Sequence, residues 1–476
     1  MQLYNKCLNL FKLKNINIMD RVRLPKVIIA TSLGNACEWF DFGVYGFMSS
    51  EIGKIFFPIS DPDVQRISIL ATFSIPFLIR PLGGLFFGLL GDQYGRQRIL
   101  SITIIIMSVS TACISFIPSY SVVGIWAPIC LILCRIVQGF SVGGEYVGAA
   151  IFVSEYSPDC NRGFIASWLD FSSIFGFLLG SGTVVFIASI TGKSYFLEWG
   201  WRIPFMISIP LGFIGLYMRC RLHETPVFYN YIKQTKIKYC PNFSEGHRIS
   251  CKENIMQFWK SVLICIGLVV TTNVLYYILL TYIPGYLSYN LHYEESDGLL
   301  IMSCVMFVML FLQPIMGWMS DKFGRRPLVI LGSTALFCLS TPSFMLINSG
   351  RVCFVIFGLL ILAAILNSFT GVTASSLPEM FPTSIRYRAL ASSFNFSILV
   401  AGFTPVILAW LVEITRDLYV PAYCLMIVSV IGFCTGIAMK ETANTSLYRI
   451  DSINSILYLS SDSLKIYNRN IKKNVI

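Results

Sequence analysis

Charge is what this chain has least of. Only 13% of its 476 residues are Asp, Glu, Lys or Arg, where a soluble domain carries about 25%, so an ordinary water-soluble fold is excluded. Histidine is scarcer still: His223, His247 and His292 all lie in loops between apolar runs. Gly139-Phe-Ser141-Val-Gly143 matches the nucleophile elbow of hydrolases, but that elbow needs a preceding strand and a histidine partner. Neither is offered here, so no catalytic residue is expected. The fifteen cysteines contain no C-x-x-C and lie mostly inside apolar runs, as Cys37, Cys113, Cys130, Cys134, Cys265 and Cys304 do. They read as reduced, buried small side chains rather than a disulfide or metal framework. The first 26 residues are dotted with Lys and Arg and lack a short apolar core with a small-residue cleavage site, so no cleavable signal is expected. The apolar runs do not alternate, which excludes a β-barrel.

What is present is apolar length and repetition. Hydrophobic residues make up 55% of the chain. About twelve segments reach the roughly 20 apolar residues that span a bilayer as a helix. Gly88-x-x-x-Asp92-x-x-Gly95-Arg96 returns as Gly317-x-x-x-Asp321-x-x-Gly324-Arg325, with 321 − 92 = 229 residues between the aspartates. Glu155-x-x-Pro158-x-x-x-Arg162 returns as Glu379-x-x-Pro382-x-x-x-Arg386, and Glu224-Thr225 as Glu441-Thr442. Three motifs in the same order mean a duplicated chain. The expected fold is an all-α membrane protein of about twelve transmembrane helices in two six-helix repeats, the build of a membrane transporter. The expected segments are a cytoplasmic N-terminal stretch at 1–26, bundles at 27–218 and 261–439, a cytoplasmic linker at 219–260 and a cytoplasmic tail at 440–476. Lys and Arg concentrate at both termini, the linker and both G-R turns. By the positive-inside rule these face the cytoplasm, and the same rule accounts for the +11 net charge without nucleic acid.

Ionisable groups inside a spanning helix cost about 2.5–3.5 kcal/mol each and survive at pathways, cavities or pairs. The first repeat holds Glu38, Asp41, Arg80, Arg135, Glu145 and Asp170 within its helices; the second offers neutral Asn273, Gln313, Asn367 and Asn395. The six charged residues are candidates for proton coupling and substrate binding, because a carboxylate beside an arginine can switch protonation as its partner moves. Trp39, Trp168, Tyr276, Tyr282 and Phe394 are candidate walls of an aromatic cage for an ammonium group. An arginine would hold the carboxylate of the same zwitterion. Asp92, Gly95, Arg96, Glu155, Arg162, Asp321, Gly324, Arg325, Glu379 and Arg386 are the candidate cytoplasmic gate. Gly95 and Gly324 permit the tight turn, and Arg96, Arg325 and Arg326 come within reach of Glu155 and Glu379 or of the helix C-terminal ends. Gly139, Gly143, Gly144 and Gly148 read as a helix-packing stripe.

These residues resemble a known family. The two G-x-x-x-D-x-x-G-R turns within a twelve-helix pattern are similar to the major facilitator superfamily. GNACEWFDFGVYGF (34–47), FLIRPLGGLFFGLLGDQYGRQ (77–97), QGFSVGGEY (138–146), WGWRIPF (199–205) and FPTSIRY (381–387) resemble its metabolite:proton symporter branch. The resemblance implies the major facilitator fold and proton-coupled uptake of proline, glycine betaine and related zwitterions by alternating access. It assigns coupling to the charged helices of the first half. It implies a multi-pass protein of the bacterial inner membrane, monomeric or weakly oligomeric, with the proton gradient as energy source and no cofactor. A proton symporter for a dicarboxylate such as 2-oxoglutarate is the alternative, and it would expose more than one arginine in a central cavity. A non-transporting membrane sensor would need a soluble effector domain, for which the linker and tail leave little room.

Overall fold

Without water to satisfy backbone polar groups, a continuous apolar run must close its own hydrogen bonds as a helix. The computed structural model describes residues 2–58, 62–222, 224–225, 227, 258–445 and 447, so most of the expected linker and tail lie outside the described residues. Among the described residues twelve long helices cross the fold. In the first half they are α1 (Gln2–Phe47), α2 (Pro62–Tyr94), α3 (Arg96–Phe116), α4 (Trp126–Tyr156), α5 (Arg162–Tyr195) and α6 (Arg202–Cys220). The second half has α7 (Trp259–Tyr277), α8 (Glu295–Phe323), α9 (Arg325–Ile347), α10 (Val352–Glu379), α11 (Arg386–Gly402) and α12 (Val420–Ala438). A π-helical turn, Ile278–Tyr282, carries α7 on into Ile283–Leu291, and Thr404–Thr415 extends α11. Eleven of the twelve are long and apolar enough to cross a membrane. The remaining one, α1, carries Asn35, Glu38 and Asp41 in its apolar stretch and buries all three.

The helices run longer than the apolar stretches that announce them. The apolar stretches end near Leu90 and Val147, whereas α2 reaches Tyr94 and α4 reaches Tyr156. Their last turns are polar because they carry the repeated motifs. α1 was expected from Val27, yet it begins at Gln2 and runs through Pro25.

Packing follows the repeat. In the first half α1 packs on α5 and α6, α2 on α4, and α3 on α4 and α6. In the second half α7 packs on α11 and α12, α8 on α10, and α9 on α10 and α12. Adding six to each helix number turns one set into the other. The halves meet through two equivalent pairs, α2 on α11 and α8 on α5. The glycine stripe of α4 lets backbones touch. A Cβ on Gly139 would lie 2.5 Å from the Pro76 backbone, and one on Gly143 would lie 2.4 Å from the Arg80 carbonyl oxygen. That close approach places Arg80 of α2 against α4, in the middle of the first half.

Candidate functional site

A cavity lies between the halves at mid-depth. The first half contributes Trp39 of α1, Arg80 of α2, Tyr146 of α4, and Asp170 and Ser173 of α5. The second contributes Thr272, Asn273 and Tyr276 of α7, Thr370 and Thr373 of α10, and Phe394 and Ile398 of α11. The Arg80 guanidinium donates from Nη2 to Glu38 Oε1 at 3.1 Å, while its Nε and Nη1 find no partner among the described residues. Trp39 Nε1, the Tyr276 hydroxyl and Asp170 Oδ2 are likewise buried without a hydrogen-bond partner. Buried polar groups are satisfied as a rule. Arg80, Trp39, Tyr276 and Asp170 thus leave donors and an acceptor open around one cavity.

Aromatic rings close the cavity above and below. On the side of the G-R turns, the basic face, Tyr146 stacks on Phe394 with ring centroids 4.8 Å apart. On the other side Phe42 stacks on Phe77 at 5.7 Å, and Phe77 meets Tyr277 at 5.2 Å. Trp39 and Tyr276 approach to 4.9 Å across the halves. Each layer joins a helix of one half to a helix of the other, so neither can part without the halves moving.

Two further charge pairs lie beside the cavity without lining it. Asp41 accepts from Gln138 Nε2 at 2.6 Å and lies 3.9 Å from Arg135, whose guanidinium stacks 3.3 Å from the Tyr45 ring centre. Glu145 pairs with Arg219 of α6 and accepts from Thr103 Oγ1 at 2.6 Å. Arg219 was read as the first residue of the linker; it is instead a buried part of α6. Trp168 and Tyr282 also lie outside the cavity. Trp168 is two residues from Asp170, about 200° around a helix, and packs on Phe164 and Phe171. Tyr282 is six residues beyond Tyr276, in the π-helical turn, against Tyr286. Ser141 donates to the backbone carbonyl of Thr103, not to a base.

The basic face carries a doubled latch. Asp92 ends α2 and accepts from the backbone N–H groups of Tyr387 and Arg388, at 3.4 and 3.1 Å, at the start of α11. Asp321 ends α8 and accepts from Gly163 and Phe164 at 2.7 and 2.8 Å at the start of α5. Each aspartate places its negative charge on the positive end of a helix in the other half. Gly95 (φ 101°) and Gly324 (φ 96°) form the turns that hold them, a backbone region open to glycine. The Glu-x₆-Arg motifs pair crosswise. Arg386 donates to Glu155 at 2.7 Å and Arg162 to Glu379 at 2.5 Å. Arg96 lies 3.7 Å from Glu155, and Arg325 donates to Glu379. The Glu-Thr motifs complete both sides. Glu224 accepts from the Gln97 N–H at 3.3 Å, and Glu441 from those of Arg325 and Arg326 at 3.0 and 3.1 Å. Burial pushes the Glu441 carboxyl up, but the four backbone N–H groups of Arg325, Ala443, Arg326 and Thr442 outweigh it and hold it below the usual range. Glu224 is more buried and sits above that range.

The structure thus brings Arg80, Asp170, Trp39, Tyr276 and Phe394 together in the cavity, with Glu38 directly behind Arg80. Sequence reasoning missed Tyr146, Ser173, Thr272, Thr370, Thr373 and Ile398. The polar steps Asp170/Ser173 and Thr370/Thr373, each three apart within apolar helices, were a signal for one lined face.

Residues 26–453 match the sugar (and other) transporter family. A proline/betaine transporter of Salmonella typhimurium is 61% identical over 435 residues, covering 91% of this chain and 87% of that one. The glycine betaine/proline/ectoine/pipecolic acid transporter OusA of Dickeya dadantii is 56% identical over 475 residues, covering 100% of this chain and 95% of its own. Among solved structures, the proton:xylose symporter XylE bound to 6-bromo-6-deoxy-D-glucose superposes with a TM-score of 0.77 at 19% identity, covering 91% of this chain and 99% of that one. At that identity the likeness is one of fold.

Proposed function

Because the chain belongs to the sugar (and other) transporter family of the major facilitator superfamily, a multi-pass membrane protein and not an enzyme, we propose that it imports proline, glycine betaine and related zwitterions together with protons. The observation that carries this reading is Arg80, tied to Glu38 on one side and presenting two unpartnered donors to an aromatic-walled cavity on the other. A proton on Glu38 cancels the charge that holds Arg80. The guanidinium then meets a carboxylate with two parallel N–H groups, the geometry it is built for. Trp39, Tyr276 and Phe394 supply ring faces for an ammonium group, an attraction of about 2 kcal/mol or more once water is excluded. Solute and proton therefore favour each other's binding, which is the requirement for symport. A dicarboxylate fits less well: Arg80 is the sole base among the described residues lining the cavity, and Asp170 repels a second carboxylate.

The halves rock about this site as the Tyr146–Phe394 floor and the basic-face latches part on one side and the Phe42–Phe77–Tyr277 layer parts on the other. Positive-inside charge supports a cytoplasmic basic face with both termini inside, in a bacterial inner membrane, as a monomer or weak oligomer. The proton gradient supplies the energy and no bound cofactor is needed. Purified protein in proteoliposomes is expected to concentrate labelled proline and glycine betaine under an inward proton gradient and to stop when the gradient is collapsed. Uptake of neither solute by folded, inserted protein would overturn the reading.

A further inference from the structure

Away from the basic-face latch, the buried charges of the first half do not balance. Glu38, Asp41, Glu145 and Asp170 are buried within the spanning helices against Arg80, Arg135 and Arg219. Three of these carboxylates are matched, Glu38 by Arg80, Asp41 by Arg135 and Glu145 by Arg219. Asp170 is the remainder. Among the described residues no ion pair reaches it. Tyr146 donates its hydroxyl hydrogen to Oδ1 at 3.0 Å, and Oδ2 has no hydrogen-bond partner. The side chain is only 7% exposed and lines the central cavity beside Trp39, Tyr276 and Phe394. A buried carboxylate is costly unless a cation meets it or a proton neutralises it.

We infer that Asp170 is the cation-recognition group of the cavity, meeting the ammonium of a zwitterion whose carboxylate lies on Arg80. This rests on the transport reading above and names the residue that sets its specificity. The charges close. Arg80, Glu38 and Asp170 sum to one negative charge, a proton on Glu38 brings the sum to zero, and a zwitterion adds one charge of each sign opposite its complement. Tyr146 fixes Oδ1 and leaves Oδ2 facing the solute. The same tyrosine stacks on Phe394 of the other half, so an occupied Asp170 bears on a ring that joins the halves. A proton resident on Asp170 would balance the charge equally well and would make it a coupling residue instead, and the two roles separate experimentally.

The test is exchange of labelled glycine betaine across proteoliposomes with no proton gradient, which reads binding and crossing without net coupling. Asp170→Asn is expected to raise KM by at least about tenfold, the loss falling on KM rather than on maximal rate, because a charged partner of the ammonium is gone. Asp170→Glu is expected to recover part of that affinity. In wild-type protein, where no variant must fold, 3,3-dimethylbutanoate has the shape and carboxylate of glycine betaine without its cation. It is expected to compete at least about tenfold more weakly. An unchanged KM in Asp170→Asn, with only gradient-driven accumulation lost, would overturn the inference and give Asp170 the proton. Equal competition by this cation-free isostere would overturn it without any variant. Failure of wild-type protein to exchange either zwitterion would overturn the transport reading, and the inference with it.

Discussion

Glu38→Gln is expected to abolish accumulation against a gradient while exchange of preloaded solute persists. Glutamine has the size and neutrality of a protonated glutamate, so Arg80 stays permanently available to the solute carboxylate. The site then binds and crosses without a proton, and the inside-to-outside ratio under an inward proton gradient is expected to settle at about 1. Glu38 is buried, and Arg80 is its ion-pair partner. Asp41 and Glu145 pair with Arg135 and Arg219, which do not line the cavity. That difference in what the partner arginine faces selects Glu38 from the three carboxylates paired with an arginine. Accumulation by the variant equal to wild type would remove Glu38 from coupling. Loss of exchange as well would mean that the residue holds the site together rather than gating its charge.

The second large effect belongs to the latch. Glu379→Gln strips the charge from between the buried guanidinium groups of Arg162 and Arg325. Breaking a buried pair by removing one partner costs about 3–5 kcal/mol, and each 1.4 kcal/mol is about tenfold in an equilibrium. Arg162 belongs to the first half and Glu379 to the second, so their contact exists only while the basic face is closed. The energy is therefore lost from one end state and not from the cavity. Turnover is expected to fall by at least about tenfold, while the Kd for glycine betaine, read from intrinsic tryptophan fluorescence, stays within about threefold. Glu155→Gln is expected to behave alike, since Arg386 and Arg96 flank it in the mirrored arrangement. Undiminished turnover in both variants would reduce the repeated motifs to topogenic charge.

Much of this is legible in the sequence. The two aspartates, two Gly-Arg turns and two Glu-x₆-Arg motifs announced the duplication, and the structure gives both aspartates and both Glu-x₆-Arg motifs partners in the opposite half. Contacts within each half were legible too, since Arg96 was expected near Glu155 and Arg325 near Glu379, but the crosswise pairing of Arg386 with Glu155 and Arg162 with Glu379 was not. A motif repeated within each half says nothing of which copy it binds. The cavity was legible only in its charged and aromatic members. Trp168 and Tyr282 are aromatic residues of the right helices on the wrong faces, because in a helix apolar on every side no periodic polar stripe tells which face looks inward. Thr272, Thr370 and Thr373 were passed over because a hydroxyl in a spanning helix can satisfy itself on the carbonyl four residues back, as all three do. Arg219 was hidden by its neighbours, since a basic residue at the start of a basic linker gives no sign that it turns back to Glu145.

The central claim is that each solute enters with a proton. The most direct measurement is the current when glycine betaine is added to proteoliposomes adsorbed on a sensor membrane, at equal pH on both sides. A zwitterion carries no net charge, so the account predicts positive charge moving inward with the solute, together with alkalinisation of the outer medium. Solute flux of undiminished rate with neither current nor pH change would contradict it.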